Sequence, residues 1–127
     1  MAARVLLVED NPANLALMKY LLEASGYTIL TATNGREGVV VAQQESPDVI
    51  LMDLQMPNMN GYEAARQVKE VPALRGVPII AVTAAAMVGD RDKILARGFD
   101  GYIAKPITPE RFVSEVEGFI AAALRAD

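Results

Sequence analysis

The chain contains neither histidine nor cysteine. Without cysteine, disulfides, thiolate nucleophiles and thiolate metal sites are excluded. Without histidine, so are Ser-His-Asp catalysis, imidazole-bound zinc and a phosphohistidine on this chain. Long hydrophobic runs are missing too: every apolar stretch falls far short of the roughly 20 residues needed to span a bilayer. The start, Met1-Ala2-Ala3-Arg4, leads straight into a strand pattern and lacks the layout of a signal peptide, so a cytoplasmic location is expected. Positive charge is not in excess. A net charge of −4 gives no basic face for nucleic acid. What remains is 127 residues, 52% hydrophobic and 22% charged, which suits one globular domain with a real core. Any cation bound here must sit among oxygen ligands.

Strand and helix patterns alternate five times along the chain. Arg4 to Val8 is a β-branched and leucine run that terminates in Glu9-Asp10. Asn11-Pro12 opens a helix with Leu15, Met18, Leu21 and Leu22 on one face and Lys19 and Glu23 on the other, closed by Ser25-Gly26. Residues 27–31 read as a second strand. Asn34-Gly35 turns into a second helix to about Glu45, with Val39, Val40 and Ala42 inward and Ser46-Pro47 at its end. The third strand is Val49-Ile50-Leu51-Met52, ending in Asp53. Gly61 opens a helix with Ala64, Ala65 and Val68 inward, stopped by Pro72. Residues 78–83 form the fourth strand, ending in Thr83, and residues 84–97 a fourth helix that is weak at its start and capped by Gly98. Residues 101–104 form the fifth strand, ending in Lys105-Pro106. Thr108-Pro109 then starts a last helix to about Leu124 that buries Phe112, Val116, Phe119 and Ile120.

This order predicts an α/β fold, a doubly wound parallel sheet with helices on both faces. Continuous apolar runs without alternation are how strands buried on both faces read. In such sheets the ligand site lies beyond the carboxyl ends of the strands. Four strands leave reactive groups there: Glu9-Asp10, Asp53, Thr83 and Lys105. Each has a plainer reading alone. Glu9-Asp10 suits a helix N-terminus, Thr83 a β-former, Lys105 a solvated lysine, Tyr102 a half-buried core aromatic, and Met52, Met56, Met59 and Met87 suit gap fillers. Together they make a phosphoryl site. Converging carboxylates repel, and a hard divalent cation, Mg²⁺, offsets that repulsion among oxygen ligands. Asp53 would be the nucleophile forming an acyl phosphate, Lys105 would balance charge on the transferred oxygens, and Thr83 would hydrogen-bond the phosphoryl group.

Four motifs at family spacing extend this: Val-Glu-Asp-Asn at 8–11, Leu-Met-Asp-Leu-Gln-Met-Pro at 51–57, Val-Thr-Ala at 82–84 and Ala-Lys-Pro at 104–106. Over essentially its whole length the chain resembles a two-component response-regulator receiver domain of CheY-like, flavodoxin-like fold. The detail at 83–90 and 98–107 is most similar to stand-alone regulators of the DivK type or to receivers of hybrid histidine kinases. The resemblance implies strand order 2-1-3-4-5 with five flanking helices. It implies Asp53 as phosphoacceptor, Glu9 and Asp10 with Asp53 as the Mg²⁺ carboxylates, the Gln55 backbone carbonyl as a further ligand, and Lys105 as the phosphate-pairing lysine. Thr83 and Tyr102 match the family's switch pair, and the Lys105–Pro106 bond is expected to be cis. The implied partners are a sensor histidine kinase or histidine phosphotransfer protein and a downstream protein target, with no direct nucleic-acid or membrane role. Residues 1–127 are expected to be one receiver without an output domain.

The implied activity is that of a phosphoacceptor which takes part in its own phosphorylation and dephosphorylation, rather than an enzyme acting on other substrates. Readout is expected through the fourth helix, fifth strand and fifth helix, roughly residues 87–93 with 102–112. Ala85 offers no polar group to guide water, so self-dephosphorylation is expected to be slow to intermediate. Among rivals, an aspartyl-phosphate phosphatase would want a second acid where Gln55 stands, and an FMN phosphate would be repelled by Glu9-Asp10. The alternative kept is a receiver-shaped interaction module that is never phosphorylated.

Overall fold

The computed structural model describes residues 2–56, 59–84 and 88–120. Met1, Pro57, Ala85, Met87 and Leu124, all named above, lie outside these residues. The strands are β1 (Arg4–Val8), β2 (Thr28–Ala32), β3 (Val49–Asp53), β4 (Ile79–Thr83) and β5 (Gly101–Ala104). The helices are α1 (Pro12–Ala24), α2 (Gly35–Glu45), α3 (Gly61–Lys69), α4 (Val88–Ala96) and α5 (Pro109–Glu117), with a 3₁₀ turn at Pro72–Leu74.

The five strands form one parallel sheet in the order β2-β1-β3-β4-β5, as expected. All five residues of β3 and of β4 are buried, which explains why neither strand shows polar alternation. Successive side chains leave a strand on opposite faces, and this sorts the core into two layers. Leu6, Val8, Ile50, Met52, Ile79 and Ala81 face one layer with Val39 and Ala42 of α2, Ala64, Ala65 and Val68 of α3, and Ile94 of α4. Val5, Leu7, Val49, Leu51, Ile80 and Val82 face the other with Met18 and Leu22 of α1 and Phe112 and Val116 of α5. Each Val, Leu, Ile, Met or Phe side chain among these, fully buried, contributes about 1.5–3 kcal/mol.

Three helices begin on the same device. Asn11, Asn34 and Asn60 each accept a hydrogen bond from the backbone N–H three residues on, at 3.0, 2.8 and 3.0 Å. Gly26 and Gly98 carry φ values of +98° and +97°, the left-handed conformation in which the chain leaves α1 and α4.

Three details differ from the sequence expectation. Val40, one of the apolar positions read for the second helix, is 44% exposed: of three consecutive valines, the helical period turns Val39 to the core and Val40 to solvent. Among the described residues α4 begins at Val88 instead of Ala84. The last helix ends at Glu117, and Gly118–Ile120 form a turn. Ile120 is still buried, and Phe119 lays its ring over Gly101, where a Cβ would stand 2.3 Å from Phe119 Cε1.

Candidate functional site

The register aligns the carboxyl ends of β1, β3, β4 and β5. Val8 pairs with Met52, Asp53 with Val82, and Thr83 with Ala104. One residue further along each chain the backbone leaves the sheet, so Glu9, Asp10, Asp53, Thr83 and Lys105 meet at one edge. The strand order reverses between β1 and β3, the position at which open α/β sheets hold ligands.

Glu9 continues the ladder by one bond, donating its N–H to the Ala32 carbonyl at 3.0 Å. That bond turns its side chain into the site, where it is 1% exposed, and Oε2 accepts from the Asn11 N–H at 3.2 Å. Asp10 is exposed. Asp53 is 7% exposed, and its Oδ1 accepts from the Gln55 N–H at 3.3 Å, which shapes the turn leaving β3. Lys105 is fixed through its backbone N–H, which donates to the Thr83 carbonyl at 2.9 Å, and the Lys105–Pro106 peptide bond is cis. Its Nζ stands 2.7 Å from Glu9 Oε1 and 3.5 Å from Asp53 Oδ2.

Carboxylate oxygens of Glu9, Asp10 and Asp53 lie within 4.8 Å of one another. Burial pushes the Glu9 carboxyl above its usual range. The Lys105 ammonium and the Asn11 amide pull it back, and the Asp53 charge adds to the rise. Buried Glu9 Oε1 meets the Lys105 ammonium as a close ion pair. A buried carboxylate that shares one ammonium with a second acid, in a cluster of three carboxylates on a chain without histidine or cysteine, is the environment of a hard cation. The three acids together form a group able to hold a metal ion.

A cavity of about 530 Å³ opens over this edge, lined by Asp10, Gln55 and Thr83 on the sheet side. Its outer wall is Asn60, Tyr62, Asp90 and Lys93. Thr83 is 2% exposed and Gln55 is exposed. Tyr102 lies elsewhere, in a separate cavity of about 220 Å³ with Arg91, Leu95 and Phe119. It pairs with Ala81, two residues before Thr83, so Thr83 and Tyr102 leave their strands on the same face.

The outer wall escaped the sequence reading. Tyr62 packs edge-on against Phe99, with ring centroids 5.8 Å apart. The Arg97 guanidinium and the Lys93 ammonium lie 4.6 and 5.5 Å from the Tyr62 ring centroid. These contacts join α3 to α4 across more than thirty positions of sequence, and no local pattern announces them.

Residues 5–117 match the family model described as the response regulator receiver domain. The polar-differentiation response regulator DivK of Brucella anthropi is 42% identical over 123 residues, which is 97% of this chain and all of that protein. The DivK protein of Brucella ovis is 41% identical over the same extent. Among solved structures, Vibrio cholerae chemotaxis protein CheY4 superposes with a TM-score of 0.89 at 29% identity, covering 94% of this chain and 100% of that one. The receiver domain of a Pseudomonas aeruginosa sensor histidine kinase, solved with a magnesium ion in its active-site cleft, gives 0.85 at 35% identity, covering 94% and 98%. With the fold, the sheet order and the acidic edge in agreement, the chain belongs to the response-regulator receiver-domain family.

Proposed function

We propose that this receiver acts as a single-domain response regulator that accepts a phosphoryl group on Asp53 from a histidine kinase or histidine phosphotransfer protein. One observation carries the reading. Asp53 ends a fully buried strand with its carboxylate inside an acidic cluster, paired to Lys105, and its neighbours Asp10, Gln55 and Thr83 line a cavity of about 530 Å³. An Asp53 oxygen attacks phosphorus, the bond from phosphorus to the donor's histidine nitrogen breaks, and the electron pair leaves on the imidazole. The product is an acyl phosphate on Asp53. Glu9, Asp10, Asp53 and the Gln55 carbonyl would hold Mg²⁺, which when bound supplies positive charge for the phosphoryl oxygens. Lys105, already 3.5 Å from Asp53 Oδ2, supplies a second positive charge from the protein itself.

Phosphorylation adds about −1.5 to −2 charges at one spot. Thr83 borders that spot, and its hydroxyl moves toward the new oxygens. Tyr102, on the same face of the neighbouring strand, follows into the volume left behind. The surface of α4, β5 and α5 then changes, and a downstream protein reads the change. The Pseudomonas aeruginosa receiver with magnesium in its cleft supports the metal part of this reading, and the DivK response regulators support the regulator part.

Beryllofluoride, a tetrahedral mimic of the phosphoryl group, tests the reading through its fluorine NMR signal. A bound resonance is expected with Mg²⁺ present, and it should vanish in Asp53→Asn. A wild type that never binds beryllofluoride would make this an unphosphorylated interaction module.

A further inference from the structure

Gln55 and Met59 lie between β3 and α3, and the end of β3 is tied to the start of α3 through the backbone. The Gly61 N–H donates to the Leu54 carbonyl at 3.0 Å, and a Cβ on Gly61 would lie 2.4 Å from the Asp53 carbonyl oxygen. Met59 rests on a different element. A Cβ on Gly35, the first residue of α2, would stand 2.2 Å from the Met59 carbonyl oxygen, 3.0 Å from its carbon and 3.1 Å from Met59 Cβ. These are mainly backbone atoms, which cannot swing aside as a side-chain end can.

The first turn of α2 is itself firmly placed. Asn34 Oδ1 accepts from the Glu37 N–H at 2.8 Å, and Glu37 Oε1 accepts from the Thr33 N–H at 3.3 Å. Gly38 lies so close to Val8 that a Cβ would meet Val8 Cγ2 at 2.9 Å. Val8 directly precedes Glu9. One helical turn therefore braces both chain segments that bring oxygen ligands to the site, yet contributes no ligand.

We infer that Gly35 is a positioning residue for the phosphoryl site: it lets α2 seat directly on the Met59 carbonyl and so holds the loop that presents Gln55. The inference rests on the function proposed above. Filling that seat with a methyl group displaces the loop, the helix end, or both. A misplacement on the order of 1 Å can cost about 100-fold in a reaction that depends on orientation.

The test compares Gly35→Ala with the wild type by calorimetric Mg²⁺ titration and by the amide NMR spectrum of the metal-free protein. Gly101→Ala is the control, because it strikes the Phe119 ring at the opposite end of the sheet and strains the fold without touching the loop. In Gly35→Ala the Leu54, Gln55 and Met59 amides should shift, and the Mg²⁺ dissociation constant should rise about tenfold or more. In Gly101→Ala those amides should stay in place and the affinity should hold within about twofold, since the strained site is remote. Should Gly35→Ala fail to fold, Asn34→Ala decides instead. It unmoors the same helix end without a clash and should weaken Mg²⁺ in the same direction by a smaller factor. A wild type that binds Mg²⁺ beside a folded Gly35→Ala that binds it equally well overturns the inference alone. A wild type that takes up no Mg²⁺ overturns the site reading and this inference together.

Discussion

Replacing Lys105 by methionine keeps the length of the side chain and removes its charge, leaving Glu9 and Asp53 buried without their cation. At the 4.8 Å limit of the acidic cluster, two carboxylates repel by roughly 3 kcal/mol at an effective dielectric of 20. The gross attraction of Lys105 for Glu9 at 2.7 Å is larger, roughly 6 kcal/mol on the same basis, but desolvation cancels much of it. Deleting one partner of a buried pair typically costs about 3–5 kcal/mol. Lys105 is 16% exposed in its side chain and Asp10 lies open to water, which places the expected loss at the lower end, about 3 kcal/mol. Urea unfolding in a chelating buffer at neutral pH measures it.

The pH dependence has a defined sign. Burial holds the Glu9 carboxyl above its ordinary 4.5 in the folded protein. Its contribution to stability is therefore fully present below that value and lost as pH rises through the folded one. Removing Lys105 takes away the group that opposes this rise, so the deficit of Lys105→Met should shrink on acidification. Saturating Mg²⁺ should also narrow it, because the cation supplies in the variant the positive charge that Lys105 supplies in the wild type and so binds the variant more tightly. A variant as stable as the wild type at neutral pH, or a deficit that grows as pH falls, would refute the reasoning.

Three further outcomes are expected. Gly61→Ala drives a methyl group into the Asp53 carbonyl oxygen at 2.4 Å and the Leu54 Cα at 2.8 Å, and should cost about 1–3 kcal/mol in urea unfolding. Tyr62→Leu removes the aromatic face beneath Arg97 and Lys93 and should lower stability by about 1 kcal/mol, with the largest gain in amide exchange over α4. In Thr83→Ala with Tyr102→Ala, beryllofluoride should still bind while its chemical-shift effects no longer extend over β5 and α5. Effects as wide as those of the wild type would sink the proposed coupling.

Much of this architecture was legible because it rests on local patterns. Strands buried on both faces read as unbroken apolar runs, and β3 and β4 are buried at every position. The site was legible for a related reason: polar groups are absent from the interiors of these strands and stand at their carboxyl ends, where register brings them together. Contacts between distant elements left no such trace. Tyr62 and Lys93, with Arg97 and Phe99 packed against the Tyr62 ring, come together at the outer wall only after α3 and α4 have packed. The seat of Gly35 on Met59 likewise depends on how α2 meets the loop after β3. The last helix ends at Glu117 although its apolar period continues through Phe119 and Ile120. Gly118 ends the helix, and both residues still find apolar partners from a turn.

The most direct test of the central claim is the intact mass of the protein after incubation with acetyl phosphate and Mg²⁺. The wild type should gain a single phosphoryl group, absent from Asp53→Asn and from a chelated control. A wild type that gains none, or an adduct that survives Asp53→Asn, would contradict the assignment of Asp53 as the phosphoacceptor.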